Sequence, residues 1–453
     1  VLGGEKNVAS FVGEAKMNVE MKNGAEKLER LLIQNWQGKN IHPVNLLKLL
    51  EMNGEFAEGL MIPMLETVEE YVTAFNSKHP GSKFSLFVYA RKHYKDEPLL
   101  NAVIAARHEY GGSSIAKIAE QWQKLLLEKW HVEKKTVADV VKLLIDGQEE
   151  ALTLRLEACE EYIKLFEDVT SIDKTLIETL TKVLGGEKNV ASFVGEAKMN
   201  VEMKNGAEKL EGLLIQKWQG KNIHPMNLFR RLEMDKNAED LMSPMLETVV
   251  KYVAAFNSKH PGPMFSLFVH ARDLYKDEPL VNAVIAARQN HRGSFTAMIA
   301  EQWQNKLLKD WLDDEQSVDK VAVFLQLHGV RFAKPLVEKR LEVLSDYVKQ
   351  CNEKSLRQDT DLSSGKQSGG GDIAFAVWLS KAIDEMTIKP SSIERYRNEL
   401  FTRWDEANVS LTTLRDQLSK VEESDLAHVE SIVSHYETFL HYKKPKRRRK
   451  AKH

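Results

Sequence analysis

The sequence predicts an all-α protein, an elongated, solenoid-like tandem array of about five helical bundles. Three observations predict it. Residues 183–198, VLGGEKNVASFVGEAK, repeat residues 1–16 letter for letter. Tryptophan returns at a near-constant interval, at Trp36, Trp130, Trp218, Trp311 and Trp404, spaced 94, 88, 93 and 93 residues apart. Long runs mix Leu, Ala, Glu and Lys with helical spacing, and alternating Val/Ile/Thr runs with Asn-Gly turns are hard to find.

Composition bounds the rest. At 453 residues the chain is too long for one core, and its 43% hydrophobic and 29% charged content fits a folded, soluble protein. The formal net charge is -2, but Lys443, Lys444, Lys446, Arg447, Arg448, Arg449, Lys450 and Lys452 crowd the C-terminus; taking those eight charges away leaves a body at -10. An acidic body repels phosphate backbones, so nucleic-acid affinity is expected only in that tail. The two cysteines, Cys159 and Cys351, make neither a disulfide framework nor a metal-ligand spacing, which fits a reducing compartment. No run of eighteen apolar residues is present, so no membrane span is expected.

The duplication sets the order of elements. Residues 1–52 align with 183–234 and differ only at positions 30, 35, 44, 47, 48 and 49. Leu49 is matched by Arg231, so that position is expected to face water. A shorter beat runs inside the long one. Each Trp is followed by a tyrosine in a later helix, at Tyr71, Tyr162, Tyr252, Tyr347 and Tyr436, after 35, 32, 34, 36 and 32 residues. Between them come a short apolar helix, as in NLLKLL (45–50), a polar loop, and the helix that ends in the tyrosine. The expected organisation is a first unit at 1–76, a second at 77–168, a third at 169–257 and a fourth at 258–352. A flexible linker at 353–372, a fifth unit at 373–442 and a basic tail at 443–453 complete it. The helix SIDKTLIETLTK (171–182) precedes the second copy and has no counterpart before Val1. The sequence is therefore expected to begin inside a unit, with a leading helix and any targeting segment upstream.

The expected physics is an aromatic clasp. Ile115, Ile118, Ala119, Trp122, Leu125 and Leu126 form one apolar stripe, and Leu28, Leu31, Leu32 and Trp36 form another. Tyr71 and Phe75 sit one turn apart and can close over such a stripe. Each large aromatic buries on the order of 150–250 Å², enough to hold a small bundle together. Apolar segments such as FSLFVYARKHY (84–94), FSLFVHARDLY (265–275) and IAFAVWLSKAI (373–383) follow the connectors and are expected to insert into the preceding unit. The linker leaves the last unit at a less fixed angle. SSGKQS within it lacks the spacing of a phosphate loop.

No catalytic constellation is present: there is no H-E-x-x-H, C-x-x-C, G-x-S-x-G or Rossmann glycine set. No catalytic, metal or cofactor residue is therefore assigned. His42 and His224 recur with the duplication. The acid pairs Glu69–Glu70, Glu160–Glu161 and Asp313–Asp314 read as solvated helix faces. The tail reads as a nuclear-import address, against a disordered solubilising end or a weak nucleic-acid patch. An array without an active site works by contact.

The Trp–Tyr beat resembles the WY and LWY repeats of secreted RxLR effectors from oomycete plant pathogens such as Phytophthora. Trp36, Trp130, Trp218, Trp311 and Trp404 match the motif tryptophan. Tyr71, Tyr162, Tyr252, Tyr347 and Tyr436 match its tyrosine, and the leading apolar segments match its L motif. No R-x-L-R element is present, and the first unit lacks its leading helix. The resemblance implies an effector secreted by the pathogen that enters the host cytoplasm, and with its tail the nucleus. It implies stacked five-helix units, no enzymatic activity, no cofactor and host proteins as partners. One implied role is an adaptor that binds the HEAT-repeat scaffold subunit of protein phosphatase 2A, with its catalytic subunit, and redirects the core enzyme; suppression of RNA silencing or immunity would follow. The other is a nuclear effector that reaches a chromatin or transcription partner through its tail.

Overall fold

Helix starts are marked mainly by serine. Ser85, Ser113, Ser171, Ser266, Ser294, Ser317 and Ser410 each accept a backbone N–H from the first turn that follows. That satisfies one of the donors a helix start leaves unpaired. His42 and His224 do the same through Nδ1, at 3.3 Å each, with proline at the first helical position. The recurring histidines are thus caps. A computed structural model describes residues 4–145, 150–166, 171–327, 334–359, 370–385 and 391–450. Among these residues there are twenty-four α-helices, two 3₁₀ turns and no strand.

Two compact halves, Val1–Ile223 and His224–His453, divide the chain. The N-terminal half contains α1 (Glu5–Met17), α2 (Lys22–Gly38), α3 (Pro43–Leu49), α4 (Leu65–Lys78), α5 (Leu86–Tyr94), α6 (Asp96–Glu109), α7 (Ser114–Val132), α8 (Val137–Ile145), α9 (Leu152–Ile163), α10 (Ile172–Val183), α11 (Glu187–Ala197) and α12 (Lys204–Gly220). The C-terminal half contains α13 (Pro225–Arg231), α14 (Ala238–Leu241), α15 (Leu246–Lys259), α16 (Leu267–Tyr275), α17 (Asp277–Asn290), α18 (Phe295–Asp313), α19 (Val318–Phe324), α20 (Lys334–Asp359), α21 (Gly370–Glu385), α22 (Ser391–Glu406), α23 (Leu411–Leu418) and α24 (Leu426–Lys450).

One order recurs. A leading helix (α5, α10, α16) precedes a second helix (α1, α6, α11, α17). A long third helix ends near the repeat tryptophan (α2, α7, α12, α18). A short fourth (α3, α8, α13, α19) leads to a fifth that carries the repeat tyrosine (α4, α9, α15, α20). In the last repeat α21 takes the leading place, α22 carries Trp404 and α24 carries Tyr436. Within each half, the tyrosine helix of one repeat packs on the tryptophan helix of the next: α4 on α7, α9 on α12, α15 on α18 and α20 on α22.

Three expectations are corrected. Residues 353–372 are not all linker, because α20 continues to Asp359 and α21 starts at Gly370. The two helices meet closely: a Cβ at Gly371 would lie 3.1 Å from the Val348 carbonyl, and Asn352 Nδ2 donates to Asp372 at 2.9 Å. Lys381 of α21 pairs with Asp319 of α19 at 3.6 Å and with Asp425 at 2.6 Å. Phe375, Val377, Trp378 and Leu379 are buried. That apolar load seats α21 on the fourth repeat, where a loosely held last unit was expected. Residues 360–369, including SSGKQS, lie outside the described residues.

The second correction concerns Leu28, Leu31 and Leu125, read as parts of core stripes, which are exposed. The third concerns Glu69 and Glu160, read as solvated. They lie half-buried where one repeat meets the next. Burial raises the Glu69 carboxyl above its usual range, and a Trp122 hydrogen bond only partly offsets that. Glu160 pairs with Lys209 at 2.5 Å. Leu49 and Arg231 are both exposed. The basic residues 443–450 continue α24, and 451–453 lie outside the described residues.

Candidate functional site

Every repeat tryptophan and tyrosine is buried. Trp36, Trp130, Trp218 and Trp311 are completely inaccessible, and Trp404 is 5% exposed. Tyr71, Tyr162, Tyr252, Tyr347 and Tyr436 are at most 1% exposed. Edge-to-face contacts join Trp36 to Tyr71 (5.7 Å between centroids), Trp311 to Tyr347 (6.4 Å) and Trp404 to Tyr436 (5.4 Å). This geometry sets the positive ring edge against the negative face, worth about 0.5–1.5 kcal/mol beyond area burial.

The tyrosine hydroxyl explains why phenylalanine would not serve. The residue five positions after each tryptophan returns its N–H to the tryptophan carbonyl: Ile41 at 3.2 Å, Lys135 at 2.9 Å, Ile223 at 3.2 Å, Gln316 at 2.9 Å and Val409 at 2.9 Å. The residue before it is left-handed, at φ 47° for Asn40, 58° for Lys134, 46° for Asn222, 52° for Glu315 and 55° for Asn408. This is a Schellman helix stop. The tyrosine hydroxyl then donates to the carbonyl just beyond the stop. Tyr71 reaches Ile41, Tyr162 reaches Lys135 at 2.7 Å, Tyr347 reaches Gln316 at 2.6 Å and Tyr436 reaches Val409 at 3.1 Å. The clasp thus satisfies a backbone carbonyl that burial would otherwise leave costly.

An acid completes the clasp. The indole N–H of Trp36 donates to Glu5 at 3.0 Å, that of Trp130 to Asp96 at 2.7 Å, that of Trp218 to Glu187 at 3.1 Å and that of Trp311 to Asp277 at 2.9 Å. Each acid opens the second helix of its repeat, where the helix dipole favours negative charge. The leading helices grip the same acids in the even repeats: Arg91 holds Asp96 at 2.7 Å, and Arg272 holds Asp277 at 2.6 Å. Burial alone would raise the Asp96 carboxyl, but hydrogen bonds from Arg91 and Trp130 outweigh it and hold the group below the usual range. The Lys39 hydrogen bond chiefly holds Glu5 low.

Seven residues before the tryptophan lies a second buried polar position. Glu29 takes Lys16 at 2.8 Å, Glu211 takes Lys198 at 2.9 Å, Gln123 takes Arg107 at 2.6 Å, and Gln304 takes Arg288 at 2.6 Å. Acid–lysine and amide–arginine pairs alternate, which marks the copied two-repeat block at atomic scale. Burial pulls the Lys16 ammonium down, but Glu29 and Glu66 outweigh it, so its pKa is raised. The leading helices also latch repeats together. The Tyr94 hydroxyl donates at 3.1 Å to the Met52 carbonyl, just beyond the stop of α3, and Tyr275 does the same to Met234 at the end of α13.

The acids, the buried polar position and the latching tyrosines were not read from the sequence. The signal was present. Each acid lies 31 or 34 residues before its tryptophan. Among the described residues, no cluster of catalytic type brings the predicted residues together; Trp36 with Tyr71, Trp311 with Tyr347 and Trp404 with Tyr436 form separate clasps. Among the described residues, no group of three His, Cys, Asp or Glu could hold a metal ion. No helix among them is long and apolar enough to cross a membrane. Cys159 is buried, and burial raises its thiol. The side chains of Lys443, Lys444, Lys446, Arg447, Arg448, Arg449 and Lys450 lie outside the described set.

No protein-family model matches the chain. It is 29% identical over 436 residues, 93% of its length, to an RxLR effector protein of Phytophthora infestans. Another RxLR effector protein of that species is 24% identical over 88% of the chain and 78% of the relative. RxLR effector protein PSR2 of Phytophthora sojae is 23% identical over 88% of the chain. The chain spans 60% of the length of the first of these relatives and 59% of that of PSR2. The crystal structure of PcRxLR12 aligns with a TM-score of 0.48 at 21% identity, covering 78% of this chain and 81% of that one. Over most of its length, the chain is similar in sequence to RxLR effector proteins of Phytophthora.

Proposed function

We propose that this chain works as a pathogen effector, secreted and then carried into the host cytoplasm, that acts by binding a host protein and not by catalysis. The observation that carries this reading is the likeness to RxLR effectors along 88–93% of the chain, PSR2 among them. In its specific form, the chain is an adaptor that takes the place of a regulatory subunit on the scaffold subunit of protein phosphatase 2A and redirects the core enzyme, promoting virulence. The units follow the sequence reading at 1–76, 77–168 and 169–257, with the fourth carried on to Asp359 and the fifth opening at Gly370. One adjacent pair grips the scaffold and the others hold the client. Buried clasps and latched repeats support this, because surfaces held rigidly cost less ordering entropy on binding.

Affinity capture from plant extract on the immobilised chain tests it. Recovery of the scaffold and catalytic subunits together, without a regulatory subunit, is the expected result; their absence from the bound fraction overturns the adaptor. A second reading, a nuclear effector with a chromatin or transcription partner, draws on the basic run Lys443–Lys450 that continues α24. Deleting 443–453 separates the two: the adaptor keeps its phosphatase, and the nuclear effector loses both nuclear signal and virulence activity.

A further inference from the structure

The junction from the first repeat to the second and that from the third to the fourth are built alike. In each, an asparagine of the tyrosine helix fixes a phenylalanine just ahead of the next leading helix. Asn76 Nδ2 donates to the Phe84 carbonyl at 2.8 Å, and Asn257 Nδ2 to that of Phe265 at 3.0 Å. The cap histidine of the short helix stands edge-on to that phenylalanine, His42 to Phe84 at 5.8 Å and His224 to Phe265 at 5.7 Å. One ring of the set is exchanged. Tyr89 of α5 lies 5.8 Å from Phe84, whereas His270 of α16 takes its place 5.4 Å from Phe265. Leu47 of α3 is matched by Phe229 of α13, which the His270 ring meets edge-on at 5.3 Å. Phe229 is completely buried. His270 is thus wedged between a phenylalanine of the third repeat and one that opens the fourth.

Charge decides what this ring tolerates. Around it stand His224 and Arg230 from α13, Asp235 just beyond α13, and Asp273 on α16 itself. Burial acts first against its cation. Asp273 and Asp235 favour the charged form, Arg230 and His224 oppose it, and the imidazole is held below its usual range. The cap histidines use Nδ1 as an acceptor, which only a neutral ring can do, but that constraint is common to both junctions. The difference is the exchanged ring. Tyr89 gains no charge on acidification, and the histidine stacked on it, His93, is exposed.

We propose that the junction between the third and fourth repeats is an acid-released latch: a proton on His270, between Phe229 and Phe265, loosens α16 from α13, and Tyr89 spares the first junction that step. A histidine whose cation is disfavoured in the fold contributes stability that is present above its unfolded value, about 6.5, and lost as pH falls below it. The Tyr275 hydroxyl, bonded to Met234 at the end of α13, is released with the helix. The latch goes beyond the contact reading above and does not rest on it.

Hydrogen exchange of the whole chain at about pH 7.5 and about pH 5.5, corrected for intrinsic rates, tests it. On acidification α16 should lose more protection than α5. His270→Tyr, the residue of the first copy, should bring the loss in α16 down to that in α5, and Tyr89→His should raise the loss in α5. Equal losses in the two helices, or a loss in α16 that His270→Tyr leaves in place, overturns the latch. Should either variant melt well below the parent at neutral pH, C2–H exchange of the histidine rings in the unchanged chain decides. His270 must titrate below the ordinary histidine value, and a midpoint at or above that value overturns the proposal.

Discussion

The hairpins at residues 5–38 and 187–220 differ in sequence at two positions, Arg30 against Gly212 and Asn35 against Lys217. Their interiors are alike. The indole bond to the acid is 3.0 Å in one and 3.1 Å in the other, and both bury a lysine–glutamate pair. Their outer faces differ, because α9 and α10 pack on α12 and, among the described residues, no helix covers the same face of α2. The comparison teaches that the clasp is set within one repeat, whereas burial of the outer stripe depends on a neighbour. The same leucine is core in one copy and surface in the other.

The largest effect that tests this is removal of the indole. Trp36→Ala and Trp218→Ala should each cost about 3–5 kcal/mol, as large-to-small aromatic changes do. Hydrogen exchange of the amides of α2 and α12 would report the loss locally. Similar losses in the two helices support a self-contained clasp; a large loss in only one breaks it.

A single methyl group then sharpens the difference between the copies. Gly206→Ala pushes Cβ into the backbone of α9 and should cost about 1–3 kcal/mol. Gly24→Ala meets open space and should stabilise α2 by up to about 1 kcal/mol through helix propensity. The same substitution should therefore have opposite signs, read again as protection of each helix. Equal signs would mean that α9 does not cover α12 in solution.

The smallest effect is electrostatic. Glu5 is held below its usual range chiefly by Lys39. A depressed carboxyl contributes stability that is present above its unfolded pKa and lost as pH falls through the lowered folded value. Thermal melts between about pH 6 and pH 2 should show an acid loss around α1 and α2 that is shallower in Glu5→Gln, the unfolded reference lying near pH 4. An identical slope in the variant would remove Glu5 from the clasp.

Much of this was legible in the residues. Trp36 and Tyr71, and their four later counterparts, declare themselves by spacing, because a buried indole and its partner ring tolerate few other side chains. Helix starts could be read from serine before an apolar run. The acids at Glu5, Asp96, Glu187 and Asp277 were legible in principle, yet a carboxylate opening a helix is common enough to hide among others. The left-handed residues Lys134 and Glu315 were not legible, since neither is a residue type that favours that conformation.

What the sequence determined alone is the repeat, its helical elements and the recurring tryptophan and tyrosine, because these follow from periodicity. What tertiary structure decided is which stripe is covered. Leu28 and Leu210 sit in the same local sequence, and the one on α12, where α9 and α10 pack, is interior. Likewise, the polar stretch around residues 353–359 became helix. Burial is a property of two surfaces meeting, and a residue pattern describes only one of them.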